Sequence, residues 1–292
     1  FSPPLQSRPS YFLSLYGRFD MKKTALLLTA CSVFALALAG CGDKKADQAP
    51  VAAKEVTITV GATPVPHADI LKVAAPELKK QGVNLKVIEF TDYVKPNLAL
   101  ADKEIDANYF QHVPYLESFA KDRKLNLSVL CSVHIEPMAV YSKTIKDLKS
   151  VPDGAKVAIP NDPTNGGRAL KVLSDAGLFS LKPGVGINGT PADVINNTHN
   201  LKIVEMEAAV LPRALDDVTL AVINSNYALG VGLNPAKDSL FIESADSPYA
   251  NVVVIRTGDN REALSKLAQV MHSQVVRDYI LKQYKGAVYP TF

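Results

Sequence analysis

The chain has 292 residues, is 47% hydrophobic and 21% charged, and carries a formal net charge of +3. This is an ordinary globular composition, long enough for roughly two domains, and the small charge without a clustered basic stripe gives no footing for a nucleic-acid partner. Cysteines occur only at 31, 41 and 131, with no CxxC, which excludes a disulfide framework.

Residues 1–20 lack a clear period and read as an upstream segment outside the protein proper. Met21 then opens a secretory signal over residues 21–40, with Lys22 and Lys23 at its charged end and an apolar run from 25 to 39. That run is too short, with these flanks, to span a membrane. It closes on Leu38-Ala39-Gly40-Cys41, which resembles the lipobox of bacterial lipoproteins and implies lipidation at Cys41. Cys31 has a similar context but leaves too short an apolar region before it. Several acyl chains on one cysteine hold a protein at a membrane without spanning it. Residues 41–54 then read as a lipidated tether, small, charged and rich in Ala and Pro. Everything beyond it is expected to face the periplasm or the cell exterior.

The folded body is predicted to open as strand 56–60, helix 67–81 ending before Gly82, and strand 85–90. This order argues a parallel sheet. Further strands are predicted at 127–133, 138–141, 156–159, 201–206, 220–223 and 252–255, and helices at 166–176 and 261–284. In the last of these Leu264, Leu267 and Met271 share one face. Alternating strands and helices give an α/β class. Two lobes are expected: lobe one from 55–141 plus 244–292, and lobe two from 142–243. A ligand cleft lies between them, beyond the C-terminal strand ends.

Four stretches carry the candidate site. In DYVKPNLALADKEIDANYFQHVPYL, residues 92–116, Asp92 is a plausible N-cap for a helix over 94–100 and Pro114 suits the first turn of a second helix. Tyr93, Phe110, His112 and Tyr115 then fall at strand ends and helix starts. There aromatic walls hold small amphipathic molecules, although aromatics also serve as plain core. In NDPTNGGR, residues 161–168, the glycines let backbone approach a ligand and Arg168 is expected in the first helical turn. A bidentate clamp on a carboxylate and a pairing with a surface acid both fit that arginine. Asn224 follows a strand and suits either an ammonium-binding carbonyl or a helix cap. Asn251, just before a strand, suits a ligand contact or a turn.

Other patterns carry little. Residues 184–189 match GxGxxG but join no strand to a helix, so they read as a loop. No Walker A or GxSxG sequence occurs. The five histidines, at 67, 112, 134, 199 and 272, lack ligand spacing, so no metal site or cofactor is expected. Cys131 reads as a small buried residue.

The stretches FTDYVKPNLALADKEIDANYFQHVPYL, NDPTNGGRAL, LKIVEMEAAVLPRAL and SPYANVVV, in this order, closely resemble the NlpA-type lipoproteins, the methionine-binding subunits of bacterial ABC methionine importers. The resemblance implies a two-lobed periplasmic-binding-protein fold of type 2 character and a carrier rather than an enzyme. It also implies delivery of methionine to an ABC permease driven by a cytoplasmic ATPase. Carried over by motif, Tyr93, Phe110 and Tyr115 would surround the thioether with His112 beside them. Arg168 would clamp the carboxylate, and Asn224 and Asn251 would hold the polar end. The chain departs from the family at Val113, often Lys there, and at Gly166-Gly167, where bulkier residues occur. The same fold fits D-methionine, a methionine-containing dipeptide or another amino acid; a metal-binding lipoprotein is the more distant reading.

Overall fold

The computed structural model describes residues 55–292. The expected signal, Cys41 and the tether fall outside the described residues. The described chain forms two lobes, each built on its own sheet.

The first lobe opens with β1 (Val56–Ala62), α1 (Asp69–Lys80) and β2 (Val83–Glu89), with β1 and β2 parallel. Ile58, Val60 and Ala62 are fully buried, as a central strand requires. Past α1, Gly82 takes φ +76°, a left-handed conformation that only glycine adopts freely. Next come α2 (Lys95–Ala101), β3 (Ala107–His112), α3 (Val113–Arg123) and β4 (Leu127–Ile135). Glu136-Pro137 then ends the ladder, because proline has no N–H to donate.

The second lobe contains β5 (Ala139–Tyr141), β6 (Lys156–Pro160), α4 (Pro163–Asp175), the short pair β7 (Ser180–Leu181) and β8 (Val194–Ile195), and β9 (Lys202–Met206). It continues with α5 (Leu211–Ala214), β10 (Leu220–Ile223), α6 (Ser225–Gly230), α7 (Pro235–Asp238) and β11 (Phe241–Ile242). Its strand order is β11-β5-β10-β6-β9, with β6 parallel to both neighbours. The strand expected at 138–141 belongs to the second lobe rather than the first, because β5 pairs with β10 and β11. The first crossing therefore runs through residues 136–138.

The chain returns to the first lobe through β12 (Ala250–Arg256), α8 (Glu262–Met271), α9 (Gln274–Tyr284) and β13 (Tyr289–Pro290). The first sheet is ordered β13-β4-β12-β3-β1-β2. The single helix expected over 261–284 is two helices. Ser273 separates them, its side chain accepting from the Val276 N–H as an N-cap. Leu264, Leu267 and Met271 pack with Leu71 and Leu78 of α1 and Val276 and Ile280 of α9 against one face of this sheet. Leu100 and Leu116 cover Val252 and Val254 on a second cluster. Cys131 lies within β4 and is buried, which pushes its thiol up to about 12. Among the described residues no helix is long and apolar enough to cross a membrane.

Candidate functional site

The cleft between the lobes holds about 330 Å³ of space between atoms, open solvent included, and all seven expected site residues line it. Strand ends deliver most of them. His112 ends β3, Asn224 follows β10, and the turn after β6 leads into the helix carrying Arg168. Register does the rest: Asn251 on β12 pairs with His112 on one side and His134 on the other.

One end of the cavity is an aromatic triangle. The Tyr93 ring lies 6.0 Å from Phe110 and 5.8 Å from Tyr115, and Phe110 lies 6.1 Å from Tyr115, centroid to centroid. Asp92 shapes this corner by accepting from the Val94 and Lys95 N–H groups, each at 2.8 Å. The Tyr115 hydroxyl donates to the Tyr93 carbonyl at 2.8 Å, and the Tyr93 hydroxyl donates across the cleft to Asn226 Oδ1 at 2.6 Å. Burial raises both phenol pKa values, so both remain donors.

The other end is polar. Helix α4 begins at Pro163, earlier than expected, so Arg168 stands in its second turn. Asp162 caps the helix, accepting from the Asn165 N–H at 2.9 Å and from its Nδ2 at 3.0 Å. That turns Asn165 Oδ1 to His112 Nε2, 3.1 Å away across the cleft, and to the Nδ2 of Asn224, which donates to it at 2.8 Å. The Tyr115 N–H donates to His112 Nδ1 at 3.2 Å, which leaves Nε2 as the protonated nitrogen. Burial first, and Arg168 second, push His112 down to about 3. It is neutral at pH 7.

Arg168 is paired, though with a buried partner rather than a surface acid. Its Nη2 donates to Glu243 at 2.5 Å and to the Glu136 carbonyl at 2.7 Å, and its Nε donates to Glu243 at 3.2 Å. The guanidinium also stacks 4.1 Å above the Tyr249 ring. Among the described residues Nη1 has no hydrogen-bond partner. Asn251 spends its oxygen on His67 Nε2 at 3.0 Å and keeps Nδ2 unpaired among the described residues. Asn224 Oδ1 is buried and lacks a partner. The polar end thus offers two donor groups and one acceptor with no protein partner.

Gly166 and Gly167 serve the protein rather than a ligand. A Cβ on Gly166 would lie 2.9 Å from the Pro160 carbonyl oxygen. One on Gly167 would lie 2.2 Å from the Ile187 carbonyl oxygen and 2.9 Å from the Gly189 nitrogen. The loop over 184–189, unremarkable as a sequence motif, is the backbone against which α4 packs.

Sequence reasoning missed Glu136, Asn165 and Asn226, which also line the cavity. Asn165 had a local signal, an amide three residues after the cap Asp162. Glu136 had none: His134 stands two residues before it, but His67 comes from a distant segment, and nothing local marks the carboxylate as buried. These three are the one group among the described residues that could hold a metal ion. Here Glu136 Oε1 lies 2.7 Å from His134 Nε2 and 3.2 Å from His67 Nε2, contacts satisfied by ring N–H groups. The shorter separation is a hydrogen-bond length, tighter than two ligands about 2.0 to 2.2 Å from one zinc would keep.

A family model described as NlpA lipoprotein matches residues 58–292. The D-methionine-binding lipoprotein MetQ of Escherichia coli (strain K12) is 45% identical over 256 residues, 86% of this chain and 92% of that protein. A nutrient-binding protein from Burkholderia cenocepacia, solved bound to methionine, is 45% identical with a TM-score of 0.78, over 80% of this chain and 100% of that one. An ABC-transporter periplasmic substrate-binding protein from Coxiella burnetii is 42% identical with a TM-score of 0.77, over 80% and 99% respectively. With its two-lobed α/β fold and the cavity between the lobes, the chain belongs to the NlpA lipoprotein family.

Proposed function

We propose that this protein binds L-methionine between its lobes and hands it to an ABC permease driven by a cytoplasmic ATPase. It would be tethered outside the cytoplasm by lipid on Cys41. The carrying observation is the buried Asn224 Oδ1 with no partner, set beside unpaired donors on Arg168 and Asn251. A buried acceptor left alone is costly, so the cavity is built to receive a donor. An amino-acid zwitterion supplies one in its ammonium, and its carboxylate takes the free donors. The aromatic triangle at the far end suits a flexible, polarizable thioether, which makes favourable contacts with aromatic rings. On this reading the protein is a carrier and performs no catalysis.

A thermal-shift panel on protein starting at Lys54, unfolded and refolded to strip bound ligand, tests the reading. L-methionine at a hundred times its dissociation constant should add about 2.7 kcal/mol of stability. The E. coli relative's name makes D-methionine the essential comparison. A large shift with D-methionine, a methionine-containing dipeptide or another amino acid, and none with L-methionine, replaces the substrate and keeps the carrier. A shift with a divalent metal alone overturns the reading.

A further inference from the structure

Behind the polar end of the cavity runs a line of buried polar side chains. The Thr63 hydroxyl lies 2.7 Å from His67 Nδ1, and His67 Nε2 lies 3.0 Å from Asn251 Oδ1. His67 Nε2 also sits 3.2 Å from Glu136 Oε1, which His134 Nε2 approaches at 2.7 Å. The Tyr109 hydroxyl closes the line on His134 Nδ1. Thr63, His67 and His134 are at most 1% exposed, and Asn251 and Glu136 are 5% exposed. Of the five, only Asn251 and Glu136 reach the cavity.

The chemistry of this line has a direction. Glu136 Oε1 faces both imidazoles, and as a carboxylate oxygen or as the carbonyl oxygen of the acid it accepts, so both carry their proton on Nε2. Thr63 and Tyr109 are hydroxyls and donate to the opposite nitrogens. His67 Nε2–H then faces Asn251 as well, and the Asn251 amide must answer with its oxygen. Without that constraint the amide fits its site equally well turned by half a rotation, with oxygen toward the cavity. Burial keeps His67 neutral until about pH 4, so one N–H and one lone pair are available through the neutral range.

We propose that His67, its tautomer fixed by Glu136, is a positioning residue that holds the Asn251 amide with Nδ2–H toward the cavity, making this wall a donor for the ligand carboxylate. The inference rests on the amino-acid reading above. It makes selectivity for a free carboxylate depend on a side chain that never touches the ligand.

Binding of L-methionine and L-methioninamide, which lacks the carboxylate, is to be measured on the full-length protein in detergent. Wild type, His67→Leu, His67→Gln and His67→Asn are compared, with thermal melting to check folding. Wild type should favour methionine strongly. His67→Leu should lower the methionine-to-methioninamide preference roughly tenfold or more, the scale of one hydrogen bond to a charged group, while leaving methioninamide affinity nearly unchanged. His67→Gln, whose amide nitrogen reaches the place of Nε2, should keep the preference. His67→Asn keeps a polar partner for Thr63 but is too short to reach Asn251, so it should behave like His67→Leu even where the leucine variant fails to fold. Equal weakening of both ligands, or a preference unchanged in His67→Asn, overturns the proposal. A wild type that binds both equally overturns it while the carrier reading stands. A wild type that binds neither overturns the amino-acid reading, and this inference with it.

Discussion

Arg168 divides its work among its nitrogens. Nε and Nη2 tie Glu243 and the Glu136 carbonyl, one residue from each crossing segment, while Nη1 remains for the cavity. The pair is buried, with side chains 3% and 13% exposed. Removing one partner of such a pair leaves an uncompensated charge and costs about 3–5 kcal/mol. Arg168→Ala is therefore expected to lose methionine binding and also to lower the urea midpoint of the unliganded protein. A binding defect with an unchanged midpoint would show that the Glu243 pair contributes nothing to the fold. The motif around Arg168 was legible in the sequence, but its partner was not. Glu243 stands 75 residues away, and nothing local distinguishes it from a solvated acid. Tyr93, Phe110, His112 and Tyr115 were legible because one short segment supplies them all. Asn226 was passed over beside Asn224 because its role depends on Tyr93 from the opposite lobe.

Helix α4 is placed by an approach that only glycine allows. At Gly167 an added Cβ would meet backbone at 2.2 and 2.9 Å, and backbone cannot swing aside as a flexible side chain can. Overpacking of this kind typically costs about 1–3 kcal/mol. Gly167→Ala should lower the urea midpoint, and by shifting the start of α4 it should weaken ligand binding as well. Gly230, at the end of α6, meets nothing within 4 Å, so Gly230→Ala should be neutral or stabilising by a few tenths of a kcal/mol. The opposite sign separates steric conflict from a general effect of alanine; a Gly167→Ala protein as stable as wild type would show that the loop at 186–189 yields without cost. Element existence was readable from apolar runs and turn residues at this scale, and most strands fall near their expected places. The misplacements share a cause. The start of α4, the break at Ser273 and the pairing of β5 are each decided by a cap or a ladder partner, not by hydrophobic period.

Across the whole molecule, side chains from the two lobes meet inside the cleft, with Tyr93 on Asn226, His112 on Asn165, and the Tyr227 hydroxyl on the Thr91 carbonyl. Three buried imidazoles stand at or just behind this contact, and they make the folded state acid-sensitive. His67 is pushed down to about 4 and His112 and His134 to about 3, burial being the main cause in each. The unfolded chain takes up these protons near the ordinary value of 6.5, so below that pH it binds more protons than the folded one. Stability is therefore full above about 6.5 and is lost as pH falls toward 4 and then 3. Glu136 and Asp162 act oppositely, because burial raises their pKa values and favours their protonated forms once folded. Their contribution is present at low pH and fades as pH rises, so they oppose the acid loss. The urea midpoint of the unliganded protein should hold steady from pH 8 to 7 and decline between 6.5 and 4.5. Replacing His134 by Gln removes one of the three groups and should make that decline shallower, though the starting midpoint is lower. A flat midpoint down to pH 5 would mean that the imidazoles gain protons without opening the fold, which their burial forbids. Because burial holds His112 neutral down to about 3, the methionine affinity of the folded protein should stay level between pH 6.5 and 4.5 even as its stability declines.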